Sequence, residues 1–330
     1  MKKINYMQII KIGIGSCIAI LAADGIGLSY SASAGIITLL SIQNTKKETL
    51  LITLKRFIAF GLSLLISYII FHFMGYHAYS FGLFLLVFVG SCYLLKLEDG
   101  ISMNAVLTTH FLIEESMNFY WIRNELSLLI IGAGIGILLN LYIPKKIMTI
   151  KQDQSEIEEE IKIVLNRLSS DLIDKFIECK VNDSFLHLDL RLKEATARAY
   201  ENMNNTLLSD TRYYIQYMQM RKNQSVILRR ISSHIMNLEK VPEQAYKISE
   251  YMNHIAATFH EYNNALDLLN ELQEIRQYFK SDLLPRSRSE FENRAILYQI
   301  INELESFLLL KREFVEALTD TQIQNYWREG

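Results

Sequence analysis

The stretch "TLLSIQNTKKETLLITLKRFIAFGLSLLISYIIF" (Thr38–Phe71) places four cations, Lys46, Lys47, Lys55 and Arg56, between two runs of almost uncharged residues. In a soluble protein, such a cluster is usually a solvated loop between buried helices. In a membrane protein, lysines and arginines beside an apolar segment mark the cytoplasmic side of the bilayer. The rest of the chain decides between these two interpretations.

The two halves of the chain differ in charge and composition. Residues 1–150 carry 11 Lys and Arg against 7 Asp and Glu, a net charge of +4, whereas residues 151–330 carry 23 against 29, a net charge of −6. The first half also holds the long apolar runs and nearly all the glycines. This contrast predicts a transmembrane domain over residues 1–146 and a water-exposed helical domain over residues 147–330.

The apolar residues of the first half form about six segments. A helix needs roughly 20 residues to cross a hydrocarbon core about 30 Å thick. The first, third and sixth segments are long enough, the fourth is nearly so, and the second and fifth are short. The predicted fold class is therefore all-α, with about six transmembrane helices followed by a cytoplasmic antiparallel helical bundle. The segments are 6–23, 30–43, 57–74, 81–95, 102–113 and 124–143.

The distribution of cations predicts the orientation of these segments. With both termini in the cytoplasm, ten cations lie in inner segments and Arg123 alone lies in an outer one. Such an asymmetry is typical of membrane proteins and requires an even number of spans. The inner cations are Lys2, Lys3, Lys46, Lys47, Lys55, Arg56, Lys96, Lys145, Lys146 and Lys151.

The two short segments occupy corresponding positions in two groups of three. Each follows the same tripeptide, Asp-Gly-Ile, at residues 24–26 and 99–101. Transporters built from 3+3 inverted repeats place their sites on short or broken helices of this kind. The alternative is that both segments are ordinary helices packed inside the bundle. Gly132 and Gly136, spaced as GxxxG, favour close helix packing in the sixth segment.

Ionisable residues at membrane depth are costly and are candidates for function. His110 has Asn104, Thr108 and Thr109 nearby. It is predicted to bind a substrate carboxylate or to relay a proton. The alternative is a structural histidine that is hydrogen-bonded between helices. These four residues belong to a candidate transport path.

Three charged residues complete this candidate transport path. Lys55 and Arg56 open the third segment, where they either attract anions or reach lipid phosphates. Asp24 is either part of the path or a cap at the outer surface.

Other chemistries lack their sequence signatures. There is no GxxxxGK[ST] motif, no visible nucleophile–base pair and no His or Cys cluster with metal-ligand spacing. The second half is acidic, which argues against nucleic acid. We therefore expect no enzyme, no cofactor and no metal site.

Two stretches of the first half resemble a known family. The run "YSASAGIITLLSIQNTKKETLLITLKRF", followed by Ala59 and Gly61, and the later run "MNAVLTTHFL" are similar to the bacterial aromatic acid exporter family, member 1, within the fusaric-acid-resistance-like group. Gln43, Lys46–Lys47 and Arg56 match the pattern of that group, whereas Asn44 and Ala59 depart from it. The resemblance implies six spans, a cytoplasmic helical domain, the bacterial inner membrane and export of aromatic carboxylates.

The second half shows helical apolar stripes separated by breaks near 181–184, 209–211, 241–242 and 281–289, which predict about five antiparallel helices. Ser155 and Glu158 have the spacing of a capping box at the start of the first helix. The charges are interpreted as a solvated face, including the basic run Arg221–Arg230. The tyrosines and methionines of Tyr213–Met220 are interpreted as core.

Two functions follow from these patterns. The first is a membrane transporter or channel that exports organic anions, embedded in the lipid bilayer, with a cytoplasmic domain for regulation or assembly and a homo-oligomeric state. The alternative is a membrane anchor that transports nothing and whose helical domain organises a partner complex.

Overall fold

A computed structural model describes residues 6–142, 147–174, 181–206 and 211–327, and within these ranges the chain is α-helical without a strand. The chain forms two compact units, the first holding α1–α6 and the second holding α7–α13. The helices are α1 (Tyr6–Gly25), α2 (Ala32–Ser41), α3 (Lys46–Met74), α4 (Ala78–Leu95), α5 (Ile101–Ile113), α6 (Phe119–Leu141), α7 (Ile147–Ile173), α8 (Val181–Asn205), α9 (Arg212–Met236), α10 (Gln244–Ala257), α11 (Leu266–Ser281), α12 (Arg288–Glu316) and α13 (Asp320–Gln322).

Local sequence signals set the ends of the long helices in the first unit. The Thr45 hydroxyl accepts a hydrogen bond from the Glu48 amide at 3.3 Å and caps the start of α3. The same helix ends at Gly75, whose φ of 73° suits a residue without a Cβ. Asn118 caps α6 by accepting from the Trp121 amide at 3.1 Å.

The first unit has the helices that the apolar segments predict. Among the described residues, α1, α3, α4 and α6 are long and apolar enough to cross a membrane, whereas α2 has 10 residues and α5 has 13. Large apolar side chains point outward, as Phe73 and Leu94 do at 81% and 86% exposure, while Ser63 and Ser67 are buried. A polar interior with an apolar exterior is typical of proteins surrounded by lipid, and the predicted fold class is confirmed.

The short helix α2 lies parallel to α6 and is extended at both ends by non-helical backbone. Asn124 of α6 bonds both the amide and the carbonyl of Ser29 at 3.0 Å. Sixteen residues further along α6, Asn140 donates to the carbonyl of Gln43 at 3.0 Å. At 1.5 Å per residue these contacts span about 24 Å, so α2 with its flanks covers most of a bilayer. The asparagines satisfy backbone groups that lipid could not.

The second short helix, α5, packs on α3 in the way that α2 packs on α6. A single 3-10 turn, Glu98–Gly100, leads into α5 and also contacts α3. The helix α1 packs on α6, and α4 packs on α3. These pairs are the ones that a two-fold relation between α1–α3 and α4–α6 would produce.

Glycine allows α2 and α6 to approach closely. A Cβ at Gly132 would lie 2.6 Å from the Ala34 carbonyl oxygen and 2.6 Å from the Ile37 Cβ. A Cβ at Gly136 would lie 2.7 Å from that of Ser41. The GxxxG spacing therefore marks a real helix contact.

Substitution of Gly132 by alanine is expected to destabilise the first unit. The added methyl group overlaps the backbone of α2, and overpacking of this kind costs about 1–3 kcal/mol. Gly134→Ala is the matched control, since its Cβ would meet nothing within 4 Å. It should be neutral or slightly stabilising because alanine is the better helix former. Thermal unfolding in detergent measures both, and equal midpoints for the two variants would contradict the close contact.

The second unit is a helical bundle with one continuous apolar core. Its described part has six long helices, one more than the five that the sequence breaks predict. The tyrosines and methionines of Tyr213–Met220 are buried, as predicted, with Tyr213, Tyr217 and Met218 at 0% exposure. The chain continues past α13 into one π-helical turn, Ile323–Trp327.

The missed break separates α10 from α11. Its residues include neither glycine nor proline, and the turn is made instead by two asparagines. Asn263 accepts from the Ala265 amide at 2.7 Å, and Asn264 accepts from the Leu266 amide at 3.0 Å. Ala265 has a φ of 61°, which alanine rarely adopts. The Asn-Asn pair is the signal that could have located this turn.

The predicted capping box at Ser155 and Glu158 is wrong. The helix α7 begins at Ile147, so both residues lie within it. The Glu158 carboxylate instead accepts a hydrogen bond from Arg221 Nη2 of α9 at 2.6 Å.

Arg221 is fully buried, contrary to the prediction of a solvated basic run. It also donates from Nε to the Tyr217 hydroxyl at 2.9 Å and from Nη1 to Gln224 at 2.9 Å. Its guanidinium carbon lies 4.2 Å from the centroid of the Phe259 ring. A buried ion pair of this kind is stable only because its hydrogen bonds are satisfied.

Lys311 of α12 is the second buried cation of this core, at 4% exposure. Its amine donates to the carbonyl oxygen of Glu261 and lies 5.7 Å from the centroids of the Tyr217 and Trp327 rings. Within the described residues no carboxylate lies within ion-pair distance of this amine. Burial lowers the pKa of Lys311 to about 7, and the charge of Arg221 acts in the same direction.

Candidate transport site

Many of the buried polar side chains of the first unit gather in two clusters between the short helices. We call the end of this unit that carries the α2–α3 and α4–α5 connections the basic end. The end that carries the α1–α2, α3–α4 and α5–α6 connections is the acidic end.

The arginine cluster lies toward the basic end and consists of Arg56, Lys55, Ser41, Asp99 and Asn104. Arg56 of α3 donates from Nε to the Asp99 carbonyl oxygen at 3.1 Å and from Nη1 to the Ser41 hydroxyl at 3.2 Å. Asn104 of α5 donates to the Arg56 carbonyl oxygen at 3.1 Å. The guanidinium therefore lies between α2 and the start of α5.

The charge of Arg56 is buried without an ion-pair partner among the described residues. The residue is 6% exposed, and among the described residues no carboxylate lies within 4.0 Å of its nitrogens. The nearby Asp99 carboxylate pairs instead with the partly exposed Lys55, at 2.8 Å. A buried cation in this state favours an anion beside it, because taking a charge out of water is costly unless it is paired.

Two polar atoms beside Arg56 also lack partners. Within the described ranges, Asn104 Oδ1 and Thr53 Oγ1 are buried and accept or donate no hydrogen bond. Thr53 lies almost one turn before Arg56 on α3. Buried polar groups are nearly always hydrogen-bonded, and exceptions tend to mark functional sites.

The histidine cluster lies toward the acidic end and consists of His110, Glu125, Asn124, Ser33, Tyr30 and Glu114. His110 Nδ1 lies 2.7 Å from Glu125 Oε2, and these side chains are 6% and 0% exposed. The other imidazole nitrogen lies 3.4 Å from the Ser33 hydroxyl of α2. The Tyr30 ring stacks on the imidazole with centroids 4.0 Å apart.

The short helices connect the two clusters. Ser33 and Ser41 lie eight residues apart on α2, about 12 Å along the helix. Asn104 and His110 lie six residues apart on α5, about 9 Å. Thr108 is buried between them and donates to the Asn104 carbonyl oxygen at 2.8 Å. The polar residues of the two clusters therefore lie about 9–12 Å apart along α2 and α5.

The candidate residues from the sequence divide into two groups. His110, Asn104, Thr108, Arg56 and Lys55 belong to this polar interior or its edge. Thr109 and Asp24 lie outside both clusters. Thr109 donates to the Val106 carbonyl oxygen of its own helix, and Asp24 is exposed at the end of α1.

Five residues of these clusters are not among the candidates predicted from the sequence: Glu125, Asn124, Tyr30, Ser33 and Ser41. Glu125 stands at the very start of the last apolar segment, 124–143, and is fully buried in α6. The available signal was helical spacing, since Glu125 shares a helix face with the buried Leu128, Leu129 and Gly132. Among the described residues no group of His, Cys, Asp and Glu side chains could hold a metal ion.

The first unit has four helices of membrane-spanning length among the described residues, and charged side chains are buried between its two short helices. These features define a multi-span membrane protein. A family model described as "Aromatic acid exporter family member 1" matches residues 3–143. A second, described as "Putative aromatic acid exporter C-terminal domain", matches residues 148–312. The chain belongs to the aromatic acid exporter family, member 1, and this membership supports a role in membrane transport.

The chain is similar to a curated relative and to a solved structure. The chain is 30% identical over 314 residues to "Uncharacterized protein YqjA" of Bacillus subtilis (strain 168), covering 95% of this chain and 97% of the relative. It is 32% identical to a chain described as "Crystal structure of putative membrane protein from Clostridium difficile 630". That match covers 52% of this chain and 99% of the other, with a TM-score of 0.48.

Proposed function

We propose that this protein exports organic anions, with aromatic carboxylates as the substrate class, across the bacterial inner membrane. The observation that carries the proposal is the Arg56 guanidinium, buried between the two short helices without a carboxylate partner. The membership of the family, whose model is named for aromatic acid export, supports the substrate class.

The direction of transport rests on charge. We place the basic end in the cytoplasm, with both termini on that side, because of the excess of cations there. Lys46, Lys47 and Lys96 would then raise the local concentration of anions at the entrance. An inside-negative potential of 100 mV favours the exit of a monovalent anion by about 2.3 kcal/mol.

We assign Arg56 the binding of the substrate carboxylate. Planar guanidinium groups suit carboxylates because two N–H groups can donate in parallel, and Arg56 retains N–H groups without an acceptor in the described part of the chain. The unpartnered Asn104 Oδ1 and Thr53 Oγ1 nearby suit a hydroxyl on the substrate ring.

The test is flux in proteoliposomes that contain the purified protein. Radiolabelled phthalate is a suitable probe, since its two carboxylates keep it charged and slow to leak at neutral pH. Arg56→Gln is expected to lower flux about 10–100-fold, the equivalent of one charge-assisted hydrogen bond. Lys55→Gln is the matched control, because Lys55 is partly exposed and already paired with Asp99; we expect it to retain most of the flux.

The outcomes are separable. Gel filtration of each variant shows whether it is folded, so that a structural role of Arg56 is recognised by loss of the monodisperse peak. Undiminished flux in folded Arg56→Gln would contradict carboxylate binding by this residue. Absence of wild-type flux over a panel of aromatic carboxylates would favour a membrane anchor that transports nothing. For the second unit we propose regulation or homo-oligomeric assembly, which light scattering on the purified protein tests.

A further inference from the structure

Both members of the His110–Glu125 pair are buried, so a net charge on the pair would lie away from water. Glu125 accepts from Asn124 Nδ2 at 3.0 Å through one oxygen and pairs with His110 Nδ1 at 2.7 Å through the other. If the imidazole is neutral and the carboxylate is ionised, the pair has a charge of −1. One added proton makes the pair neutral in total, whichever of the two groups holds it.

Among the described residues, Glu125 has no ion-pair partner other than His110. The titratable neighbours that face the pair are Tyr30, from the α1–α2 connection, and Glu114, from the end of α5; Tyr30 donates to Glu114 at 2.7 Å. Neither group is basic. On α6, Arg123 is exposed, and residues two apart on a helix point to nearly opposite faces. The described part of α2 contributes only the neutral hydroxyl of Ser33.

An unprotonated pair would repel an anion at the same depth. Charges in a low-dielectric interior interact far more strongly than in water. The pair lies about 9–12 Å from the arginine cluster along α2 and α5, and an anion that leaves Arg56 toward the acidic end along these helices must pass it. Neutralising the pair removes this barrier.

We propose that the His110–Glu125 pair is a proton-operated gate, which admits an organic anion to the acidic end only after the pair has bound a proton. This inference rests on the proposed function and concerns the regulation of anion export by protons. Glu114 and Tyr30, both half-buried, lie between the pair and the acidic end, and the Tyr30 ring covers the imidazole. A proton from that end therefore reaches the pair past these two residues, without crossing the arginine cluster.

The gate makes flux depend on pH even when the driving force is fixed. The experiment uses the full chain in proteoliposomes, radiolabelled phthalate, and a membrane potential clamped by potassium and valinomycin, with the same pH on both sides. Wild-type flux is expected to fall at least fivefold as the pH rises and the pair loses its proton. Glu125→Gln, which cannot carry the negative charge, should keep the high flux over the whole range. Glu115→Gln, an exposed carboxylate nearby, is the control and should behave as wild type.

A second variant keeps the gate testable if Glu125→Gln does not fold. His110→Gln leaves the carboxylate alone to bind the proton, so the midpoint of the pH dependence is expected to shift. Wild-type flux that is independent of pH, pH dependence that survives in Glu125→Gln, or an unmoved midpoint in His110→Gln would each overturn the gate while leaving anion export intact. Absence of wild-type flux at every pH would overturn both.

Discussion

Replacing Arg221 by methionine is expected to destabilise the C-terminal unit by about 3–5 kcal/mol. The substitution leaves the Glu158 carboxylate, whose side chain is 12% exposed, without its cation. It also removes the donors to the Tyr217 hydroxyl and the Gln224 side chain. The loss is a large share of the stability of a typical domain, which is about 5–15 kcal/mol.

Denaturant or thermal unfolding of the full chain in detergent, followed by circular dichroism, measures this effect. Arg230→Met is the matched control on the same helix, since Arg230 is 54% exposed and pairs with Glu303 at 3.0 Å. We expect that change to cost less than about 1 kcal/mol. The double variant Arg221→Met with Glu158→Leu should recover most of the loss, because neither member of this ion pair is then left without the other. Equal losses for Arg221→Met and Arg230→Met would show that Arg221 is not a buried partner.

Replacing Lys311 by methionine is expected to stabilise the same unit, and more at low pH than at high pH. The folded-state pKa of about 7 lies below the ordinary value of 10.5. Between these values the unfolded chain binds a proton that the folded chain has released, so wild-type stability rises with pH across this window. Below pH 7 both states are protonated, and burying the charge costs on the order of 4 kcal/mol.

The variant lacks this titration. Its unfolding free energy should exceed that of wild type by on the order of 4 kcal/mol near pH 6, with the gain shrinking toward pH 10. Lys222→Met replaces an exposed lysine of α9 and is expected to change stability by less than about 0.5 kcal/mol. Parallel pH curves for wild type and Lys311→Met would contradict the lowered pKa of this amine.

The architecture of the membrane half could be predicted because lipid imposes simple rules. Apolar length located all six helices. The two short segments became α2, which non-helical backbone extends at both ends, and α5, which follows a single 3-10 turn. The asparagines that satisfy this backbone, Asn124 and Asn140, could not be recognised, because their partners lie about 95 residues away in sequence. Contacts between residues so far apart in sequence leave no periodic pattern in the sequence.

The polar interior was predicted in part, and the reason is visible at Glu125. His110 interrupts an apolar run and is conspicuous, whereas Glu125 stands at the edge of one and resembles a loop residue. In the C-terminal half, the apolar stripes located the core, but a stripe cannot show which charged residues lie within it. Arg221 and Lys311 are buried, and Glu158 is mostly covered, because long side chains from three helices meet there. Only the packing of the helices reveals this.

The position of α2 against α6 has a consequence for synthesis of the chain. The end of α2 and the end of α6 are 100 residues apart in sequence. At about 5–20 residues per second, α6 leaves the ribosome about 5–20 s after α2. During that interval the Ser29 and Gln43 backbone groups lack the asparagines that will bind them, so the first three helices enter the membrane as an incomplete intermediate. Assembly of this unit therefore waits for its last helix, and a chain truncated before residue 124 should be recognised as unfinished and degraded.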